Sequence, residues 1–126
     1  MNDSFKKIIC PVDFSEPSER ALSQAVMMAE QADAELLLIT VVLPVPIAAY
    51  SEGSLFTEIT NLQGQLPDLA QKQLAGLRDK FCEPISGRTS LHVAVGSPFV
   101  EIVRYAREQE ADLIVMGSHG RTGIEH

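Results

Sequence analysis

Positive charge is scarce: Lys and Arg total 10 against 17 Asp and Glu over 126 residues, a formal net charge of −7. A phosphate backbone needs a basic face, so broad nucleic-acid binding is excluded. A small anion, held locally by backbone N–H groups and one or two cations, is not. Cysteine is nearly absent. Cys10 and Cys82 lie far apart, with no CxxC and no histidine at ligand spacing, so neither a zinc site nor a redox motif is indicated, and two reduced thiols suit a cytosol. Long apolar runs are missing as well. The longest, Leu36 to Leu43 around Thr40, is too short to span a membrane, and the polar start MNDSFKK is no signal peptide. No membrane partner is expected, and a cytoplasmic location follows by default. Also missing are GKS/T and a GxGxxG after the first strand, so neither the P-loop nor the dinucleotide fingerprint applies.

What is present is ordinary globular composition, 45% apolar and 21% charged, in a length that suits one domain over 1–126. Lys6 to Val12 forms a short apolar run, Ile8-Ile9-Cys10, and reads as a strand buried on both faces. Ser15 is a natural N-cap with Glu16 and Pro17 in the first turn. Ala21, Leu22, Ala25, Val26 and Ala29 then recur at helical spacing through Ala32. Leu36 to Val42 reads as a second buried strand, stopped by Pro44 and Pro46. Residues 47–64 carry no clear period and read as a loop with at most part of a helix. From Leu66, with Pro67 confined to a first turn, Leu69, Ala70, Leu74, Leu77 and Phe81 mark a second helix.

Leu91, Val93 and Val95 alternate with Ser90, His92 and Ala94, the pattern of a third strand with one wetter face, on which His92 is expected to be solvated. Gly96-Ser97-Pro98 turns into a third helix, with Ser97 as N-cap and Val100, Ile102, Val103 and Ala106 following. Asp112 to Gly117 reads as a short buried strand running into the glycine-rich turn Gly117 to Gly123. Strands alternating with helices imply a parallel, doubly wound α/β sheet.

In such sheets ligands bind outside the carboxyl ends of the strands, where strand order reverses. Attention therefore falls on Asp13, Val41 and Gly117 onward. The Asp13 carboxylate can accept hydrogen bonds from a ribose or a base amine, and it can equally cap the turn into the first helix. Glycines at 117, 120 and 123 let successive N–H groups point into one concavity. His119 and Arg121, the cations of that turn, suit phosphate oxygens, or else simple exposure. No Ser/His/Asp or Cys/His arrangement can be assembled.

The order of motifs resembles the universal stress protein family. The carrying segments are Lys7-Ile8-Ile9-Cys10-Pro11-Val12-Asp13-Phe14-Ser15, Leu38-Ile39-Thr40-Val41, Val95-Gly96-Ser97-Pro98 and Ala111 to Gly123. The resemblance implies a Rossmann-like sheet of order 3-2-1-4-5, a homodimer through the fifth strand, and in one subgroup ATP binding. It places adenosine contacts on Asp13 and Val41, with the Pro11 and Val12 backbone and Met116 beside them. Its phosphate signature is GxxG followed, after a spacer, by Gly and Ser or Thr. Gly117 and Gly120 supply the first half; the second would begin past His126. The expectation is an order of 3-2-1-4 with the fifth strand outside a C-terminally incomplete chain.

Three functions compete. The first is a stress-response module that binds ATP or AMP, with Mg as accompanying ion, and signals through its dimer surface. Any hydrolysis would be slow, because no base is placed to activate water. The second is a dimeric interaction protein that never takes nucleotide. The third, an adenylyl-transferring enzyme, is disfavoured because Val12-Asp13-Phe14-Ser15 holds neither a histidine pair nor a phosphate loop.

Overall fold

Alternate side chains of the first two strands enter opposite cores, and that division organises the domain. The computed structural model describes residues 5–44 and 53–117. It contains β1 (Lys7–Pro11), α1 (Glu16–Ala32), β2 (Glu35–Val42), α2 (Gly53–Phe81), a 3-10 segment (Glu83–Arg88), β3 (Thr89–Val95), α3 (Pro98–Gln109) and β4 (Leu113–Ile114). The strands are parallel in the order β3-β2-β1-β4, as expected. Ile9 lies opposite Leu37 on one side and Ile114 on the other.

Ile8, Cys10, Val12, Leu36 and Leu38 pack on one face against Leu22, Ala25, Val26 and Ala29 of α1 and Leu74 and Leu77 of α2. Ile9, Leu37 and Ile39 pack on the other against Ile102 and Tyr105 of α3. The period of two in a strand does this sorting, and apolar residues at every position are what a sheet covered on both faces requires. Connections β1-α1-β2 and β2-α2-β3 step one way along the sheet, whereas β3-α3-β4 steps back across it. Right-handed crossovers therefore put α1 and α2 on one face and α3 on the other.

The helix ends follow their local chemistry. Ser15 caps α1 by accepting from the Ser18 N–H at 3.4 Å, with Glu16 and Glu19 in the first turn where the helix dipole favours acids. Asp33 (φ 56°) and Glu110 (φ 56°) close α1 and α3 in left-handed conformation. Arg88 reaches back from the 3-10 segment and donates to the carbonyls of Ala34 and Ala29, capping the end of α1 with a cation. At the amino ends of the strands, Asp112 accepts from the backbone N–H groups of Lys6 and then Lys7. These bonds hold its carboxyl below the ordinary range and tie β4 to β1. That contribution is present above the ordinary carboxylate range and fades as pH falls through the lowered value.

Four expectations need correction. Helix α2 starts at Gly53, not Leu66, and Pro67 sits inside it. From Thr57 to Leu69 every side chain is exposed or only half-buried. Pro67 removes one intrahelical bond there without ending the helix. Strand β3 has no wetter face. His92 stacks on Tyr105, ring centroids 4.2 Å apart and planes 8° apart, so it is half-buried rather than solvated. Strand β4 is two residues long and not buried, with Ile114 38% and Met116 56% exposed. Finally, Ser97 does occupy the N-cap of α3, but its side chain makes no capping bond. Among the described residues no helix is long and apolar enough to cross a membrane.

Cys10 and Cys82 lie in one core cluster, fully buried. Burial, with the neighbouring Cys82 adding to it, pushes the Cys10 thiol up to about 12. Burial pushes Cys82 to about 11, against the opposing pull of Arg78 and a hydrogen bond with Thr89. Both thiols should resist a disulfide reagent at neutral pH in the native protein and react in denaturant; ready native reaction would contradict this burial. In the unfolded chain they ionise near 9.0, so urea midpoints should fall as pH rises from there toward the folded values.

Candidate functional site

The two crossover directions part between β1 and β4, and an open cavity of about 200 Å³ lies there at the carboxyl ends of the strands. Each wall follows from the fold. β1 ends in Pro11, Val12 and Asp13. Alternation along β2 turns Ile39 and Val41 to the same side, and the first turn of α3 brings Pro98 and Ile102. Met116 and Gly117, after β4, close the far side, and the start of α1 supplies Ser15, Pro17 and Ser18.

The Asp13 turn is tightly specified. Phe14 adopts φ 66°, unusual for a non-glycine, and swings the chain from β1 into α1. Asp13 Oδ1 accepts from both the backbone N–H (3.0 Å) and the hydroxyl of Ser15. The Asp13 N–H donates to Ser18 Oγ at 3.3 Å, and that hydroxyl donates to the Ser15 carbonyl at 3.0 Å. The capping role considered for Asp13 is therefore real, and the exposed carboxylate also lines the cavity. The two readings are compatible because a carboxylate has about four lone-pair sites.

Gly117 is where a glycine is needed for space. A Cβ built on it would come within 2.4 Å of the Pro17 carbonyl oxygen and 3.0 Å of the Ser18 nitrogen. The chain leaving β4 thus runs against the first turn of α1, backbone on backbone. The N-termini of α1 and α3 both open on the cavity, each with the partial positive charge of its unpaired N–H groups.

The structure thus brings Pro11, Val12, Asp13, Val41, Met116 and Gly117 together around one cavity. His119, Gly120 and Arg121 lie outside the described residues. Sequence reasoning missed Ser15, Pro17, Ser18, Ile39, Pro98 and Ile102 as lining residues. Alternation with Val41 could have found Ile39, and the N-terminal position of Pro98 could have found α3. Among the described residues no three His, Cys, Asp or Glu side chains gather as a metal site.

A doubly wound α/β domain with its cavity at the switch point is the class that fold and site define. Comparison with known proteins narrows it: the chain belongs to the universal stress protein family, whose sequence profile matches residues 4–126. It is 36% identical over 124 residues to universal stress protein MJ0531 of Methanocaldococcus jannaschii, covering 96% of this chain and 69% of that one. The solved structure of MJ0577, from the same organism, superposes with a TM-score of 0.75 at 28% identity, covering 97% of this chain and 81% of its own. A universal stress protein solved in complex with cAMP shares the fold at TM-score 0.64 and 22% identity, covering 88% and 71%.

Gly117→Ala tests the backbone approach. Pro17 cannot yield as a flexible side chain would, so the substitution should cost about 1–3 kcal/mol in urea unfolding. An unchanged midpoint would mean that the two segments do not pack as described.

Proposed function

We propose that the cavity holds an adenine nucleotide as a regulatory ligand in a stress-response protein. The observation that carries this reading is the convergence of Asp13, Val41 and Gly117 on one cavity at the switch point. The lining suits the group. Val41, Ile39 and Met116 offer apolar surface for a planar base, and Asp13 offers an acceptor for a ribose hydroxyl or an amine. A phosphate would be repelled by Asp13, so the phosphates would lie away from it, toward Gly117, after which His119, Gly120 and Arg121 follow in the sequence. ATP and AMP both satisfy this polarity, and Mg would enter on the phosphates. The universal stress protein solved with cAMP lends support, since its ligand is also an adenine nucleotide, although its likeness to this chain is one of fold.

On this reading the ligand acts by population shift. It would touch the ends of β1, β2 and β4 together and favour the arrangement in which they are closed upon it, biasing a homodimer surface that partners read. A domain that dimerises without nucleotide is favoured instead by the exposed apolar residues Phe99, Val100, Ile114 and Met116.

Calorimetric titration with ATP and AMP decides between them. Binding should be measurable and should weaken at least about tenfold in Asp13→Ala, the loss of one charge-assisted hydrogen bond. No heat at millimolar ligand would remove the nucleotide reading and leave the interaction module.

A further inference from the structure

Helix α2 carries an apolar seam that the described part of its own domain does not cover. Ile59, Leu62, Leu66 and Leu69 follow one another at steps of 3, 4 and 3 residues, the spacing of a helix–helix contact. None is fully buried: Leu62 is 55% exposed, Leu69 is 48% exposed, and Ile59 and Leu66 are half-buried. The face that α2 does bury, Ala70, Leu74 and Leu77, lies to one side of this seam, and Pro67 falls outside it. Leu66 and Leu69 front an open groove of about 460 Å³ whose other wall includes Phe14 and Val42, so the seam has space before it.

The seam is complementary to itself. Ile59 and Leu69 stand five residues either side of Gly64, and Leu62 and Leu66 stand two either side. A second α2 laid antiparallel and centred on Gly64 therefore sets Ile59 against Leu69 and Leu62 against Leu66, each layer occurring twice about the two-fold axis. Charge selects this direction. Glu58 and Lys72 are fourteen residues apart, two heptads, so they flank the seam on one side, about 21 Å from each other along the helix. A two-fold between antiparallel helices keeps that side and exchanges the ends, so Glu58 of one chain meets Lys72 of the other; a parallel pair would not bring them together. Both side chains are exposed, and neither is in an ion pair among the described residues.

From this pattern we propose that the first half of α2 is a self-association surface, on which a second copy of this chain docks its own α2 antiparallel. The surface shares no residue with the exposed set Phe99, Val100, Ile114 and Met116. A chain that also pairs through that set would assemble beyond a dimer.

Sedimentation of the full chain over a range of concentrations tests the surface. The wild-type chain should associate reversibly at micromolar concentration. Leu62→Glu, a change at an exposed position outside the core, should weaken that association at least about tenfold while circular dichroism shows the chain still folded. Glu58→Lys and Lys72→Glu should each weaken it about threefold to tenfold, by setting like charges against each other twice, and the double variant E58K/K72E should restore it. Mixed together, the two single variants should associate more tightly than either does alone. If wild type and Leu62→Glu show the same mass at every concentration, the seam is a solvated face and the proposal is overturned. If Leu62→Glu dissociates the chain but neither the double variant nor the mixture recovers association, the antiparallel pairing is overturned.

Discussion

Burial of β1 and β2 on both faces is the constraint from which the rest of this structure follows. Ile8 and Cys10 cannot be covered by the helix that covers Ile9, because successive side chains of a strand point opposite ways. Helices are needed on both faces, and a right-handed chain reaches the second face only by reversing its direction along the sheet. The reversal leaves a gap between the connections departing from β1 and β4. The cavity is therefore a by-product of burying Ile8, Ile9, Leu36 and Leu37 together, and its location does not depend on the residues that line it.

Those residues decide what the gap can hold. The Asp13 carboxylate is anchored through Ser15, and Ser18 holds the Asp13 backbone, so the acceptor stands in place before any ligand arrives. Such anchoring reduces the ordering cost of binding. It also puts a fixed negative group in the lining. Gly117 presses on Pro17, which keeps the chain after β4 close to the N-terminus of α1. Carboxylate and glycine are tied to the same helical turn, so any displacement of α1 would move both walls.

How much could be seen beforehand depended on how strongly each segment is coupled to the core. β1, β2, α1 and α3 bury regular faces, and their periods were legible. The strand order came with the family resemblance and not from pattern, since apolar runs do not declare their neighbours. The first half of α2 was missed for a physical reason: from Thr57 to Leu69 no side chain is fully buried, so no core face is selected, and Pro67 then looks like a boundary. His92 misled because alternation reports which side of a strand a residue faces, not whether a ring such as Tyr105 covers that side. In β4, Leu-Ile-Val-Met is as apolar as β1, yet only Leu113 and Ile114 pair and Met116 is exposed. Composition alone does not separate a buried strand from one beside a cavity. At the site, Asp13, Val41 and Gly117 were legible, whereas the serine relay behind Asp13 required coordinates.

The same geometry bears on whether the cavity is built to hold or to react. Among its described lining residues Asp13 is the one titratable side chain, and its Oδ1 is engaged by Ser15. Among the described residues, Cys10 is buried in a core cluster with its thiol raised to about 12, and His92 is stacked on Tyr105. The described lining supplies shape, a fixed acceptor and two helix N-termini. Because these come from β1, β2, β4, α1 and α3, a ligand that fills the cavity bridges both layers of helices across the sheet, and its binding energy acts on the relative placement of the whole carboxyl end.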